Sequence, residues 1–385
     1  MNIDDFRDYA EDWDVLSSFF PSGWQEKAKH FGALRRYRKF ADPTALMRTL
    51  LIHFVDGCSL RETAARASEG KLAFVSDVAL LKRLKACGEW FRWMAAELMT
   101  GWVAKQPSVI FGEKLRIRII DATTVQEPGS TGSTWRVHYS IELPSLRCNE
   151  VYVTSPKVGE SFKNFSVNPG DLFVADRGYA HRAAIGHVVN GGGDVLVRLN
   201  LNNIPLFNED GSQFTLLAHL RALTGNQLGD WNVFINGEDV LIPGRVCAVK
   251  KSKEATEKAQ RRVIAESKKK GHEPQPETIE SAGYIFIFTT DRKLTTTAVL
   301  EMYRGRWQIE LVFKRLKSIM GLGHLKKSDL EGAKAWIHGK LFVAFLIEAL
   351  IRAGENFSPW GYPICKDSGK GAMFVERGLI NASPC

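Results

Sequence analysis

Apolar residues in the first hundred positions recur at helical intervals. Between Pro43 and Val55, Leu46, Leu50, Leu51 and Phe54 fall on one face of an amphipathic helix. Ser59-Leu60-Arg61-Glu62 has the form of a capping box, a serine N-cap with a glutamate three residues on, and opens a second helix. A glycine break at Glu69 to Lys71 separates it from a third, beginning at Ser76, whose apolar positions through Leu84 are interleaved with Lys82 and Arg83. Residues 1–105 are therefore expected to form a helical N-terminal domain. Two short helices about a turn suit a DNA-reading helix-turn-helix as well as ordinary helical packing, and the basic run Lys29 to Lys39 tilts the balance slightly toward DNA.

From Leu115 the period changes to two. Leu115, Ile117 and Ile119 alternate with Arg116 and Arg118, and Trp135 to Leu143 and Glu150 to Thr154 follow as two more strands, with Gly129 to Ser133 supplying a turn. Asp171 to Ala175 then reads as a short apolar strand, His181 to Val189 as a helix and Asp194 to Leu199 as a strand. Strands followed by strand-helix-strand alternation imply a mixed α/β sheet covered by helices. Residues 201–282 break the rhythm with strand candidates at Trp231 to Ile235 and Val240 to Ile242, then a basic helix over Lys250 to Lys270. Because the α/β pattern resumes at Tyr284 to Thr290, this block is expected to be an insertion between the two parts of one core, 112–200 and 283–350. The basic helix is the best phosphate-facing surface in the chain, although a solvated charged face is the commoner meaning of such a run.

Composition narrows the class. The chain has 385 residues, 44% of them apolar, enough for two or three packed domains. Leu341 to Ile351 is interrupted by Glu348 and is too short to cross a membrane, and the acidic start Met1 to Asp14 has no form of a signal peptide, so an intracellular protein is expected. Six cysteines show neither a Cys-x-x-Cys pair nor a neighbouring histidine for a zinc site. A formal charge of +9 points toward a polyanion such as nucleic acid, though charge alone fits many other proteins.

The sharpest local pattern begins at Tyr303-Arg304-Gly305-Arg306-Trp307-Gln308-Ile309-Glu310 and runs on to Lys317. At about 100° per residue, Tyr303, Arg306, Glu310 and Lys317 fall within about 60° of one another, beside an apolar stripe of Met302, Ile309, Phe313, Leu316 and Met320. One carboxylate thus stands on a face otherwise made of phosphate-binding groups. The plain alternative is an intrahelical Arg306 to Glu310 ion pair, worth about 0.3 kcal/mol. Two aspartates end expected strands, Asp121 after Leu115 to Ile120 and Asp176 after Leu172 to Ala175, and strand ends of helix-covered sheets are where such folds hold ligands. Singly each is a cap or turn residue. With Glu310 they make a hard-oxygen set suited to Mg²⁺ or Mn²⁺.

Three segments, Ile119-Ile120-Asp121-Ala122-Thr123-Thr124, Val174-Ala175-Asp176-Arg177-Gly178-Tyr179, and the helix with Tyr, Arg, Glu and Lys successively three, four and seven apart, resemble those of the IS4 family of bacterial insertion-sequence transposases. That family is a branch of the DDE transposases and integrases, and the resemblance covers roughly residues 30 to 350. It implies a ribonuclease H-like mixed sheet with flanking helices, interrupted by a β-rich insertion. It implies that Asp121, Asp176 and Glu310 form a catalytic triad holding two Mg²⁺ or Mn²⁺ ions for in-line phosphodiester transfer. Water would attack first and free a 3′-hydroxyl, which would then attack the target strand. Neither a covalent protein intermediate nor a nucleotide cofactor is needed, in keeping with the lack of a Gly-x-x-x-x-Gly-Lys loop.

By the same resemblance Tyr303, Arg306, Lys317 and Arg177 would hold phosphates, and an aromatic would stack on a flipped base: Tyr284, where relatives carry Trp, or Trp307. The implied partners are double-stranded DNA, both terminal repeats and target, and a second copy of the chain in a homodimeric synaptic complex, within the bacterial cytoplasm at the nucleoid. After about Gly354 periodicity is lost, and residues 355–385 read as an irregular tail, truncated or altered relative to the family. Two other readings stay open at this point: a related nuclease that cuts without rejoining, and an inactive DNA-binding derivative.

Overall fold

The computed structural model describes residues 12–354, apart from 37, 102–107, 111–112, 131, 133, 202, 238–240, 324 and 326–328. The expected tail at 355–385 lies outside the described residues. The N-terminal part is helical, with α1 (Trp24–His30), α2 (Pro43–Val55), α3 (Leu60–Glu69), α4 (Asp77–Ala86) and α5 (Gly88–Thr100). Ser59 caps α3 by accepting from the Glu62 N–H at 3.1 Å, and Ser76 caps α4 by accepting from Ala79, so each hydroxyl satisfies a backbone donor the helix itself leaves unpaired.

Among the described residues nine strands follow: β1 (Ser108–Ile110), β2 (Glu113–Val125), β3 (Trp135–Leu143), β4 (Arg147–Thr154), β5 (Asp171–Ala175), β6 (Asp194–Arg198), β7 (Leu228–Asn236), β8 (Leu241–Lys250) and β9 (Tyr284–Thr289). They form one sheet in the order β4-β3-β2-β5-β6-β9-β8-β7, with β1 paired to β2. The β2–β5 and β5–β6 pairs are parallel, and all the others are antiparallel. This is the mixed, helix-covered sheet of a ribonuclease H-like fold. Helix α6 (Arg182–Asn190) makes the crossover between the parallel strands β5 and β6.

The block between β6 and β9 carries α7 (Leu216–Arg221), the hairpin β7–β8, the exposed basic helix α8 (Lys253–Lys269) and α9 (Pro276–Ser281). Its hairpin does not stand apart. β9 pairs with β8 on one side and β6 on the other, so the hairpin extends the central sheet. The strand expected over 240–242 proves to be the opening of the ten-residue β8.

After β9 come α10 (Thr296–Arg304), a 3₁₀ turn (Gly305–Trp307), α11 (Gln308–Lys314), a π turn (Arg315–Ile319) and the long α12 (Leu330–Gly354). α12 threads the N-terminal helices because Gly339 lets it meet the ring of Phe54: a Cβ there would stand 2.2 Å from that ring. One core therefore runs from Trp24, Phe54 and Phe91 through Phe342 to Ile119 and Tyr139 on one sheet face. A second core, with Ile120, Phe173 and Phe288, lies on the other. With both faces covered, alternation in β2 does not put its arginines in water. Arg118 is buried and donates to the Ser166 carbonyl, to Asp171 and to Glu150, which satisfies its charge. No helix among the described residues is long and apolar enough to cross a membrane.

Candidate active site

Parallel register sets the first two carboxylates side by side. Ile119 of β2 and Val174 of β5 form the last parallel pair, so two residues further along Asp121, within β2, and Asp176, just past the end of β5, lie at the same end of the two neighbouring strands. Asp176 follows its strand as expected and caps a 3₁₀ turn (Arg177–Tyr179), with Oδ1 accepting from Gly178 N–H at 2.7 Å. Asp121 does not end its strand. β2 continues to Val125 because it keeps pairing with β3 through Trp135, and only its parallel pairing stops short of Asp121. Its Oδ1 accepts from Ala122 N–H at 2.8 Å.

The helical wall crosses these strand ends. Arg306 lies between the first and third carboxylates: Nη1 is 3.6 Å from Asp121 Oδ2, and Nη2 donates to Glu310 in a short contact. Its guanidinium also sits 6.0 Å from the centre of the Tyr303 ring. Glu310, with 58% of its side chain exposed, is thus turned onto Arg306 rather than toward the aspartates. The wall is not one regular helix, since α, 3₁₀, α and π turns succeed one another between Thr296 and Ile319.

A cleft of about 960 Å³ opens beside this wall, and Asp176, Arg177, Tyr303, Arg306 and Glu310 line it. Arg198, at the end of β6, and Lys251, Lys258 and Arg262, on and before α8, complete its basic lining. Lys251 belongs to the basic run Lys250 to Lys270 that the sequence marks as phosphate-facing, whereas Arg198 is not singled out by the sequence, its strand-end position being the available signal. Of the remaining candidates, Lys317 lies on the π turn and is not among the cleft-lining residues. Trp307 is 40% exposed on the 3₁₀ turn, whereas Tyr284 opens β9 with its ring buried in the second core, away from the cleft, because β9 is an interior strand.

Burial pushes the Asp121 carboxyl up to about 7; the Ala122 N–H and Arg306 oppose this, and the charges of Asp176 and Glu160 add to it. Glu160 is a residue that no sequence pattern singled out. Tyr179 is fully buried and its hydroxyl has no hydrogen-bond partner; burial and then the charges of Asp121, Glu160 and Asp176 push its ionisation up. Among the described residues no three His, Cys, Asp or Glu side chains stand close enough to cage a metal as they are placed. The chemistry of the donor set nonetheless fits a hard divalent cation. Two carboxylates at neighbouring strand ends, a nearby third and an unpartnered hydroxyl offer oxygen alone, and the guanidinium of Arg306 already lies against Asp121.

The Transposase DDE domain family matches residues 158–346. The chain is 31% identical to the putative transposase InsL of insertion sequence element IS186A from Escherichia coli (strain K12), over 91% of this chain and 97% of that protein. It is equally 31% identical to the transposase of insertion sequence element IS421 from Escherichia coli, over the same shares. The transposase of IS231B from Bacillus thuringiensis subsp. berliner is 24% identical over 85% of this chain and 76% of its own length.

Proposed function

The chain belongs to the DDE transposases of bacterial insertion sequences, of the IS4 type, and from that premise we propose that Asp121, Asp176 and Glu310 are its catalytic carboxylates, working with two Mg²⁺ or Mn²⁺ ions. It is a DNA transposase, an enzyme of a class that uses divalent metal. When bound, the metal activates the attacking oxygen and stabilises the leaving oxygen of each phosphodiester transfer.

Asp121 and Asp176 would hold the metal from the rigid sheet, where register brings them to the same end of neighbouring strands. Glu310 would join them by turning off Arg306, a change that costs little for a side chain 58% exposed. Arg306, so released, faces the cleft with Tyr303 and Arg177 and would hold the scissile strand by its phosphates, with Lys258 and Arg262 on the opposite wall. Trp307, exposed beside Arg306, is available to stack on a displaced base. Water attacks at the element's end, and the freed 3′-hydroxyl then attacks target DNA. The helices α1–α5 would grip the terminal repeats, and two copies of the chain would bring the two ends together.

The observation that carries this reading is the pair of aspartates at one end of neighbouring strands, beneath a helix presenting Glu310. Its test is cleavage and joining of labelled DNA bearing the native element ends, with Mg²⁺ or Mn²⁺, by wild type and Glu310→Gln. Joined product from wild type alone is expected. Metal-dependent nicking without joining would turn the reading to a nuclease, and equal activity of the two proteins would remove Glu310 from the site.

A further inference from the structure

We propose that Glu160 is a fourth carboxylate of this pocket and holds the divalent cation together with Asp121 and Asp176, directly or through one of its waters. The proposal rests on the metal-dependent reading above.

Gly178 supplies the central geometry. A Cβ added to it would stand 2.9 Å from Glu160 Oε2 and 3.0 Å from Asp176 Oδ1, so both oxygens border a space that only a glycine leaves open. By the sum of those distances they are within 5.9 Å of each other. A Mg²⁺ ion holds oxygens at about 2.0–2.1 Å and keeps several of its waters, so two carboxylates this close can grip one ion or its hydration shell.

Glu160 is also held there. Asn164 Nδ2 donates to the carbonyl of Gly159 at 2.8 Å, immediately before it. Arg136 on β3 donates to the carbonyls of Pro156 at 3.3 Å and Val158 at 2.5 Å. Two residues after it, the buried ring of Phe162 packs 5.3 Å from Tyr179 and 5.6 Å from Phe173. A loop tied at three points does not carry its glutamate at random.

The second, independent sign is the Tyr179 hydroxyl, fully buried and without a hydrogen-bond partner. The charges of Asp121, Glu160 and Asp176 are near enough to act on it. A buried donor left unpaired is costly, and a hydrated cation among the carboxylates brings an oxygen to accept from it. Arg136 is the plain alternative partner for Glu160 and its charge acts on that carboxyl, but its Nη1 donates to two carbonyls.

The test is Mn²⁺ titration of the full-length protein without DNA, free Mn²⁺ being read by electron paramagnetic resonance. Wild type, Glu160→Gln, Gly178→Ala and Asp176→Asn are compared, with thermal unfolding of each metal-free protein as the folding control. Glu160→Gln and Gly178→Ala are expected to weaken Mn²⁺ binding about tenfold while Glu160→Gln leaves the metal-free Tm unchanged, which a merely structural Glu160 would not do. Binding by Glu160→Gln within twofold of wild type, with Asp176→Asn impaired, would overturn the role of Glu160 alone. Wild type that binds no Mn²⁺, or Asp176→Asn that binds it unaltered, would overturn the metal-site reading and this inference with it.

Discussion

The two walls of the cleft are built by different means. On the sheet side, Asp121 and Asp176 are brought to one end of neighbouring strands by register, and each accepts a backbone N–H. On the helical side, Glu310 and Lys317 ride a segment whose winding changes from α through 3₁₀ and back to π, and Glu310 is spent on Arg306. On the proposed reading the sheet wall is preorganised for a cation, while the helical wall carries its own cation in Arg306 and would have to let go of it. A site of this construction can stay half-assembled until DNA phosphates draw Arg306 away, because a guanidinium pairs as well with phosphate as with carboxylate.

The largest expected effect sharpens this contrast. Asp121→Asn and Glu310→Gln should each lower strand joining by about 10³-fold, since losing several kcal/mol of charge stabilisation costs that much in rate. Without DNA, however, Asp121→Asn should lose Mn²⁺ affinity while Glu310→Gln retains it. Equal losses would break the idea that only the sheet wall is preformed.

A smaller effect follows from the Asp121 carboxyl, which burial pushes up to about 7. Below that pH a proton must leave before a cation binds, so Mn²⁺ affinity in the wild type should fall about tenfold per unit as pH drops from 7 to 5. Calorimetric titration at several pH values checks this, and a flat profile would contradict it. Arg306→Ala should then weaken binding of a DNA duplex moderately and reduce the slope of log affinity against log salt by about 1. An unchanged slope would mean that Arg306 does not reach a phosphate.

The smallest effect on the cleft comes from outside both walls, in α12. Burial pushes the Glu348 carboxyl up to about 7, opposed by Arg147 and Arg315. Its folded value is above its unfolded one, so its contribution is fully present below about 4.5 and is lost as pH rises through 7. Metal-free protein should therefore lose about 3 kcal/mol from this group between pH 4.5 and 8. Glu348→Gln should flatten that part of the profile in denaturant unfolding. An unaltered profile would assign the pH dependence to the carboxylates of the cleft.

Much of this was legible in the chain. Alternation at Leu115 to Ile119, the apolar run before Asp176 and the spacing from Tyr303 to Glu310 are local patterns, and local periodicity is what backbone geometry writes into a sequence. The family resemblance rested on the same three segments. The end of β2 was misplaced at Asp121 because a strand lasts as long as some neighbour pairs with it, and β3 goes on pairing to Val125. That Tyr284, one of two candidate stacking aromatics, is buried is not legible in the sequence, because its burial depends on the pairing of β9 with β8 and on the second core. Glu160 and Arg198 carry too little local pattern to stand out.

The sequence by itself determined the elements, the order in which helices and strands alternate, and the kind of chemistry that three carboxylates among phosphate-binding groups can do. Only the tertiary structure decided which side chains meet. Asp121, Glu160, Asp176 and Arg306 are brought together by one parallel register, one tied loop and one helix laid across two strand ends. Contacts between residues far apart in the chain are made by packing, and packing leaves no period along the sequence.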